Sequence, residues 1–164
     1  MKAAVIEARS DADYGAARAL FQEYAAGLGI DLGFQGFAAE LTQLQTMYAA
    51  PGGFLLLARA ADDFVGCLGV RRWSGDSCEM KRLYVRDAAR GSGLGRTLAL
   101  EAIGRARRAG YQRMLLDTLA DMVAARALYS TLGFRACEPY RHNPLAGTTF
   151  MALDLRGGPA ATPG

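Results

Sequence analysis

What is scarce in this chain narrows the field before any motif is read. Of its 164 residues only Lys2 and Lys81 are lysine, only His142 is histidine and only Trp73 is tryptophan. The three cysteines, Cys67, Cys78 and Cys137, are odd in number, widely spaced and without a CxxC pair. That argues against a disulfide framework and, with one histidine, against a metal site. They read as free thiols buried in strands. No run approaches the ~18 consecutive apolar residues of a membrane span, and the start, MKAAVIEARSDAD, lacks the apolar centre of a secretory signal. A soluble, cytoplasmic protein that does not engage membrane is expected. A net charge of +3 is too small to point to nucleic acid, and Arg105, Arg107 and Arg108 read as one solvated helix face.

What is present is an ordinary globular balance, 51% hydrophobic and 21% charged, without internal repeat or interdomain linker. The length suits one domain that buries about two-thirds of the surface of its unfolded chain. An apolar run at 4–7 predicts a first strand. Tyr14, Ala17, Leu20, Phe21, Tyr24 and Leu28 stand at helical spacing across 11–28, with Ser10 or Asp11 as N-cap. A glycine-punctuated loop, GLGIDLGFQG, leads to a second helix over 37–48, ended by AAPGG. Three antiparallel strands follow at 54–58, 64–73 and 77–85, turned by ADD and SGD. A helix opened by Gly93 runs to about 108 and stops at Gly110; 114–117 reads as a strand, 121–132 as a helix capped by Gly133, and 134–137 and 150–155 as the last strands. The order β-α-α-β-β-β-α-β-α-β-β implies an α+β (mixed α/β) fold, a mixed sheet covered by helices, as a single domain over 4–155. The tail, 156–164, reads as disordered.

The stretch YVRDAARGSGLGRTLA places Gly91, Gly93 and Gly95, flanked by Arg90 and Arg96, between a strand and a helix start. Glycine lets backbone N–H groups approach a ligand closely, and a helix N-terminus adds unpaired donors and the positive end of its dipole. Such a junction suits an anion, above all a phosphate. It matches neither GxxxxGK[ST] nor GxGxxG, so the common nucleotide loops are excluded.

What RGSGLG does match is the R/Q-x-x-G-x-G/A string of the GNAT superfamily of acyl-CoA-dependent N-acyltransferases, which this chain resembles. ARALYSTLGF, at 125–134, is similar to that family's A-x-x-L-Y-x-x-x-G-F signature, and the element order is also the family's. The strings EMKRLYV, LDT and PY-x-x-NP-x-x-G look like a bacterial branch whose substrates are mostly unassigned. The resemblance implies acetyl-CoA as co-substrate, with Arg90, Gly91, Ser92, Gly93, Leu94, Gly95 and Arg96 around its pyrophosphate. Leu83, Tyr84 and Val85 would face its pantetheine arm, on a strand that in the family carries a bulge. The main-chain N–H of Val85 would meet the oxyanion.

By the same resemblance Tyr129 is the general acid for the departing thiolate. A phenol of pKa ~10 can protonate a thiolate and still be protonated at neutral pH. Glu79 occupies the position of a general base in several relatives; its other reading is an ion pair with Lys81 or Arg82. The acceptor would lie against GLGIDLGFQG and EPYRHNPLAG, which bring Phe34, Tyr140, Arg141, His142 and Asn143. One departure stands out: Met122 replaces an asparagine that many relatives use to hold pantetheine. Acetyl transfer to a primary amine of a small metabolite or amino-acid-like acceptor is the expected activity. The alternatives are a protein N-terminal or lysine acetyltransferase and a non-catalytic acyl-CoA sensor. The family also implies a homodimer.

Overall fold

Ser10 starts the first helix as its sequence suggests. In the computed structural model, which describes residues 3–157 and all their side chains but that of Phe34, Ser10 Oγ accepts the Asp13 amide at 3.1 Å and Asp13 Oδ2 accepts the Ser10 amide at 3.2 Å. This reciprocal box satisfies two donors that the first turn leaves without helical partners. The elements are β1 (Ala3–Glu7), α1 (Asp11–Leu28), α2 (Phe37–Thr42), α3 (Leu44–Met47), β2 (Phe54–Ala60), β3 (Asp63–Ser74), β4 (Ser77–Val85), α4 (Leu94–Arg108), β5 (Arg113–Thr118), α5 (Val123–Thr131), β6 (Arg135–Ala136) and β7 (Thr149–Asp154). Seven strands are hydrogen-bonded in the order β1-β2-β3-β4-β5-β7-β6. The β4–β5 pair is parallel; β1–β2, β2–β3, β5–β7 and β6–β7 are antiparallel. The mixed α/β architecture expected from the element order is the one present. Of the tail expected to be disordered, residues 158–164 fall outside the described residues.

Two compact units divide the chain. One holds the described residues up to Arg71 with Met80–Ala102, the other Arg72–Glu79 with the described residues from Ile103 onward. In the first, α1 turns Ala17, Leu20 and Phe21 onto Leu55 and Leu57 of β2, with Tyr48 closing the cluster. Tyr48 meets Phe21 edge to face at 5.9 Å. Its ring also explains Gly69, because a Cβ there would stand 2.6 Å from Tyr48 Cε1.

The single helix expected over 37–48 is two short ones, broken at Gln43 (φ −129°, ψ 29°). Eight residues of unbroken helix would set Glu40 and Tyr48 about 12 Å apart along the axis. The break instead lets the Tyr48 hydroxyl donate to Glu40 Oε2 at 2.8 Å. Glu40 is 3% exposed and faces Arg82, itself 5% exposed, through Nε–Oε2 at 3.1 Å and Nη2–Oε1 at 2.7 Å. Burial pushes the Glu40 carboxyl up, but the Arg82 hydrogen bonds and charge, the Lys81 charge and the Tyr48 hydroxyl outweigh it and hold the carboxyl below its ordinary range. A carboxyl with a lowered folded pKa stabilises fully above its unfolded value, ~4.3, and stops doing so as pH falls through the folded one. Denaturant midpoints measured from pH 7 to pH 3 are therefore expected to drop below about pH 4, and to drop less in Glu40→Gln.

In the second unit the first three residues of β4 pair with β5 as Ser77–Arg113, Cys78–Met114 and Glu79–Leu115. β5 pairs in turn with β7 from Arg113–Asp154 to Thr118–Thr149. The expected strand at 134–137 is reduced to Arg135–Ala136, and residues 137–148 form an irregular loop. Among the described residues no helix is long and apolar enough to cross a membrane.

Candidate active site

Gly91 and Gly93 both adopt φ 82°. That left-handed conformation is one an L side chain adopts only at a cost, which accounts for the alternate glycines. A Cβ built at either would meet nothing within 4 Å, so the loop leaves open space where a side chain would stand. α4 begins at Leu94, and Gly93 O accepts the amide of Thr97 at 3.0 Å. The first-turn amides, including those of Leu94 and Gly95, lack helical acceptors and lie at the positive end of the dipole. Gly95 is thus a first-turn residue and not a third left-handed one. Ser92 Oγ donates to Ala89 O at 2.6 Å and fixes the loop. Arg96 is exposed. Open space, left-handed glycines and helix-start amides suit a pyrophosphate.

The strand before this loop is bent. Arg82, inside β4, has φ 62°. Beyond it Leu83, Tyr84 and Val85 are half-buried. The Tyr84 hydroxyl donates to Glu23 Oε1 at 3.2 Å, and Arg86 grips the same carboxylate at 2.9 and 2.6 Å, fastening α1 to the strand end. Arg90 Nε donates to Val85 O at 2.9 Å, and Arg90 Nη1 lies 2.7 Å from Asp87 Oδ1. A phosphate contact from Arg90 competes with these two bonds.

In the other unit two of the groups expected at the acceptor, Tyr140 and Arg141, meet Glu79, which is 1% exposed. Arg141 Nη2 donates to both its oxygens at 2.6 Å, and the Tyr140 hydroxyl donates to Oε2 at 2.7 Å. Arg141 thus pairs with Glu79, while Lys81 and Arg82 approach Glu40. The Arg141 guanidinium lies 4.8 Å from the Trp73 ring centre. Trp73, Tyr140 and Phe150 form an edge-to-face series with centroids 5.1 and 5.4 Å apart. Burial and the carboxylates of Glu79 and Asp117 push the Tyr140 phenol far up, so it stays a proton donor. Asn143 Nδ2 donates to Asp117 Oδ2 at 3.2 Å, and its Oδ1 accepts the Leu145 amide at 3.0 Å.

Tyr129, on α5, is 7% exposed and packs on Phe134 at 5.7 Å. Met122 caps the start of α5, and its sulfur accepts from Thr118 Oγ1 at 3.5 Å, so a thioether stands where the relatives' amide would. His142 is exposed. Phe34 lies in the 3-10 turn Gly33–Gln35, and its side chain is outside the described part. Cys67 and Cys78 are fully buried; burial pushes both thiols up, that of Cys78 to about 12, so neither suits a nucleophile. Trp73 and Asp117 carry no site role in the sequence reading; the signals for them are a lone tryptophan late in β3 and the carboxylate of the LDT string near the end of β5.

Comparison with known proteins agrees with this geometry. Residues 16–134 match the model of the acetyltransferase (GNAT) family. An uncharacterised N-acetyltransferase of Schizosaccharomyces pombe is 41% identical over 138 residues, 83% of this chain and 85% of that one. The crystal structure of a GNAT-family acetyltransferase from Staphylococcus aureus shares the fold with a TM-score of 0.77 at 20% identity, over 94% of this chain and all of that one. The PaiA N-acetyltransferase of Thermoplasma acidophilum, solved in complex with coenzyme A, has a TM-score of 0.70 at 17% identity, over 94% and 99% of the two chains. A loop of left-handed glycines at a helix start, the shared fold and a family match over most of its length lead to one conclusion: the chain belongs to the GNAT family of acetyltransferases and is an acyltransferase.

Proposed function

We propose that the protein moves the acetyl group of acetyl-CoA directly to the primary amine of a small, amino-acid-like metabolite. The observation that carries this is the pair of left-handed glycines, Gly91 and Gly93, opening onto the start of α4. Their loop takes the pyrophosphate through main-chain amides, Arg96 adds charge, and Arg90 joins when it leaves Val85 O. Leu83, Tyr84 and Val85 offer main-chain groups to the pantetheine arm, and the Val85 amide meets the oxyanion. The amine nitrogen bonds to the acetyl carbon as the C–S bond breaks. The amine loses one proton to solvent, and the leaving thiolate takes one from Tyr129. Glu79 orients Tyr140 and Arg141, and these, with Asn143, face the acceptor. An arginine among aromatic rings suits an amine that also carries a carboxylate.

Calorimetric titration with acetyl-CoA, followed by thiol release against a panel of amines and peptides, tests the reading. Binding with release on small amines is the expected result. Release on peptides alone transfers the assignment to a protein acetyltransferase, and binding without release from any acceptor transfers it to an acyl-CoA sensor. Absence of binding overturns it. Gly93→Val should weaken acetyl-CoA at least about tenfold, the worth of one charge-assisted hydrogen bond lost to strain and bulk.

A further inference from the structure

A regular strand sends consecutive side chains to opposite faces. Lys81 and Arg82 break that rule. Lys81 Nζ stands 3.9 Å from Glu40 Oε1 and Arg82 Nη2 stands 2.7 Å from the same oxygen. The left-handed turn at Arg82 is what brings both to one carboxylate. That conformation is costly for a non-glycine residue and persists only where its surroundings hold it. Here the hold is visible. The guanidinium is gripped through Nε and Nη2 by Glu40, which also accepts from Tyr48. It lies 5.1 Å from the Phe37 ring and 5.7 Å from that of Tyr24. The Arg82 carbonyl accepts the thiol of Cys67, on β3, at 3.3 Å, and the Arg86 amide donates to Val65 O of β3 at 2.8 Å. The three residues between Arg82 and Arg86 are those assigned to pantetheine.

We propose that Glu40 is a positioning residue for coenzyme A: by gripping Arg82 it holds the bend in β4 that sets where the main-chain groups of Leu83, Tyr84 and Val85 lie. The proposal rests on the acetyl-CoA reading and adds a part of the molecule that does not touch the co-substrate. Charge here serves shape, since the buried pair offsets the strain at Arg82 and ties α2 to the same strand.

The test compares coenzyme A with 3′-phosphoadenosine 5′-diphosphate, which keeps the pyrophosphate and lacks pantetheine, by calorimetry on the whole chain. Arg82→Ala should weaken coenzyme A about tenfold, the loss of one to two neutral hydrogen bonds, and leave the truncated ligand unchanged. Arg82→Gly should stay within about threefold of the parent for both ligands, because glycine takes the left-handed turn without help. Glu40→Gln keeps the shape of the carboxylate and should behave as Arg82→Ala does, which covers the case in which alanine prevents folding. Equal losses for alanine and glycine, or equal losses for both ligands, would overturn the proposal in favour of a general structural role. If the parent binds neither ligand, the acetyl-CoA reading itself fails and takes this proposal with it.

Discussion

Tyr129→Phe should lower kcat by about 10²–10³-fold while coenzyme A affinity stays within about twofold, the signature of a lost proton donor rather than a lost contact. The ring is 7% exposed and packed on Phe134, and phenylalanine preserves that packing, so the fold should tolerate the change. The thiolate would then leave unprotonated or wait for water. Steady-state thiol release and a calorimetric Kd on the same preparation separate the two effects. Unchanged turnover would remove Tyr129 from the chemistry, and a matched fall in affinity would make it a packing residue.

The second large effect belongs to Glu79. Removing its side chain leaves the Arg141 guanidinium without its carboxylate in a mostly enclosed place and strands the Tyr140 hydroxyl. Breaking a buried pair from one side costs about 3–5 kcal/mol. Glu79→Ala should accordingly lower the thermal midpoint by roughly 6–20 °C for a chain of this size. Arg141→Ala should do comparable damage, and the double variant should be less unstable than the sum of the two. Glu79→Gln discriminates between roles. A proton-accepting carboxylate would lose turnover with the acid limb of the pH–rate profile flattened; an orienting one would lose stability with the profile kept.

The glycine loop was legible because two of its residues need a conformation that glycine supplies cheaply, and sequence records such a need. Ser10 was legible for a similar local reason, a cap and its reciprocal acceptor three residues apart. The break at Gln43 was not. No proline or glycine marks it, and the contact it permits, between Tyr48 and Glu40, exists only once the chain is packed. The ion pairs were hidden by distance along the chain: Glu79 finds Arg141 across 62 residues, and Glu40 finds Arg82 across 42. Reading Glu79 against its near neighbours Lys81 and Arg82 followed strand proximity, which cannot anticipate that Arg141 reaches Glu79 or that both cations approach Glu40 on α2. The irregularity at Arg82 was foreshadowed only by the resemblance, which implies a bulge in this strand, since arginine is not a residue that advertises positive φ.

The sealed cysteines bear on how this protein meets oxidants. Burial pushes the Cys78 thiol up to about 12, which keeps it protonated at neutral pH, and the thiolate is the form that reacts with peroxides and disulfides. Cys67, walled into β3 with its proton on a carbonyl, is no more open to them. Among the three cysteines the half-buried Cys137 is the one within an oxidant's reach, so thiol oxidation would spare the strands flanking the bend.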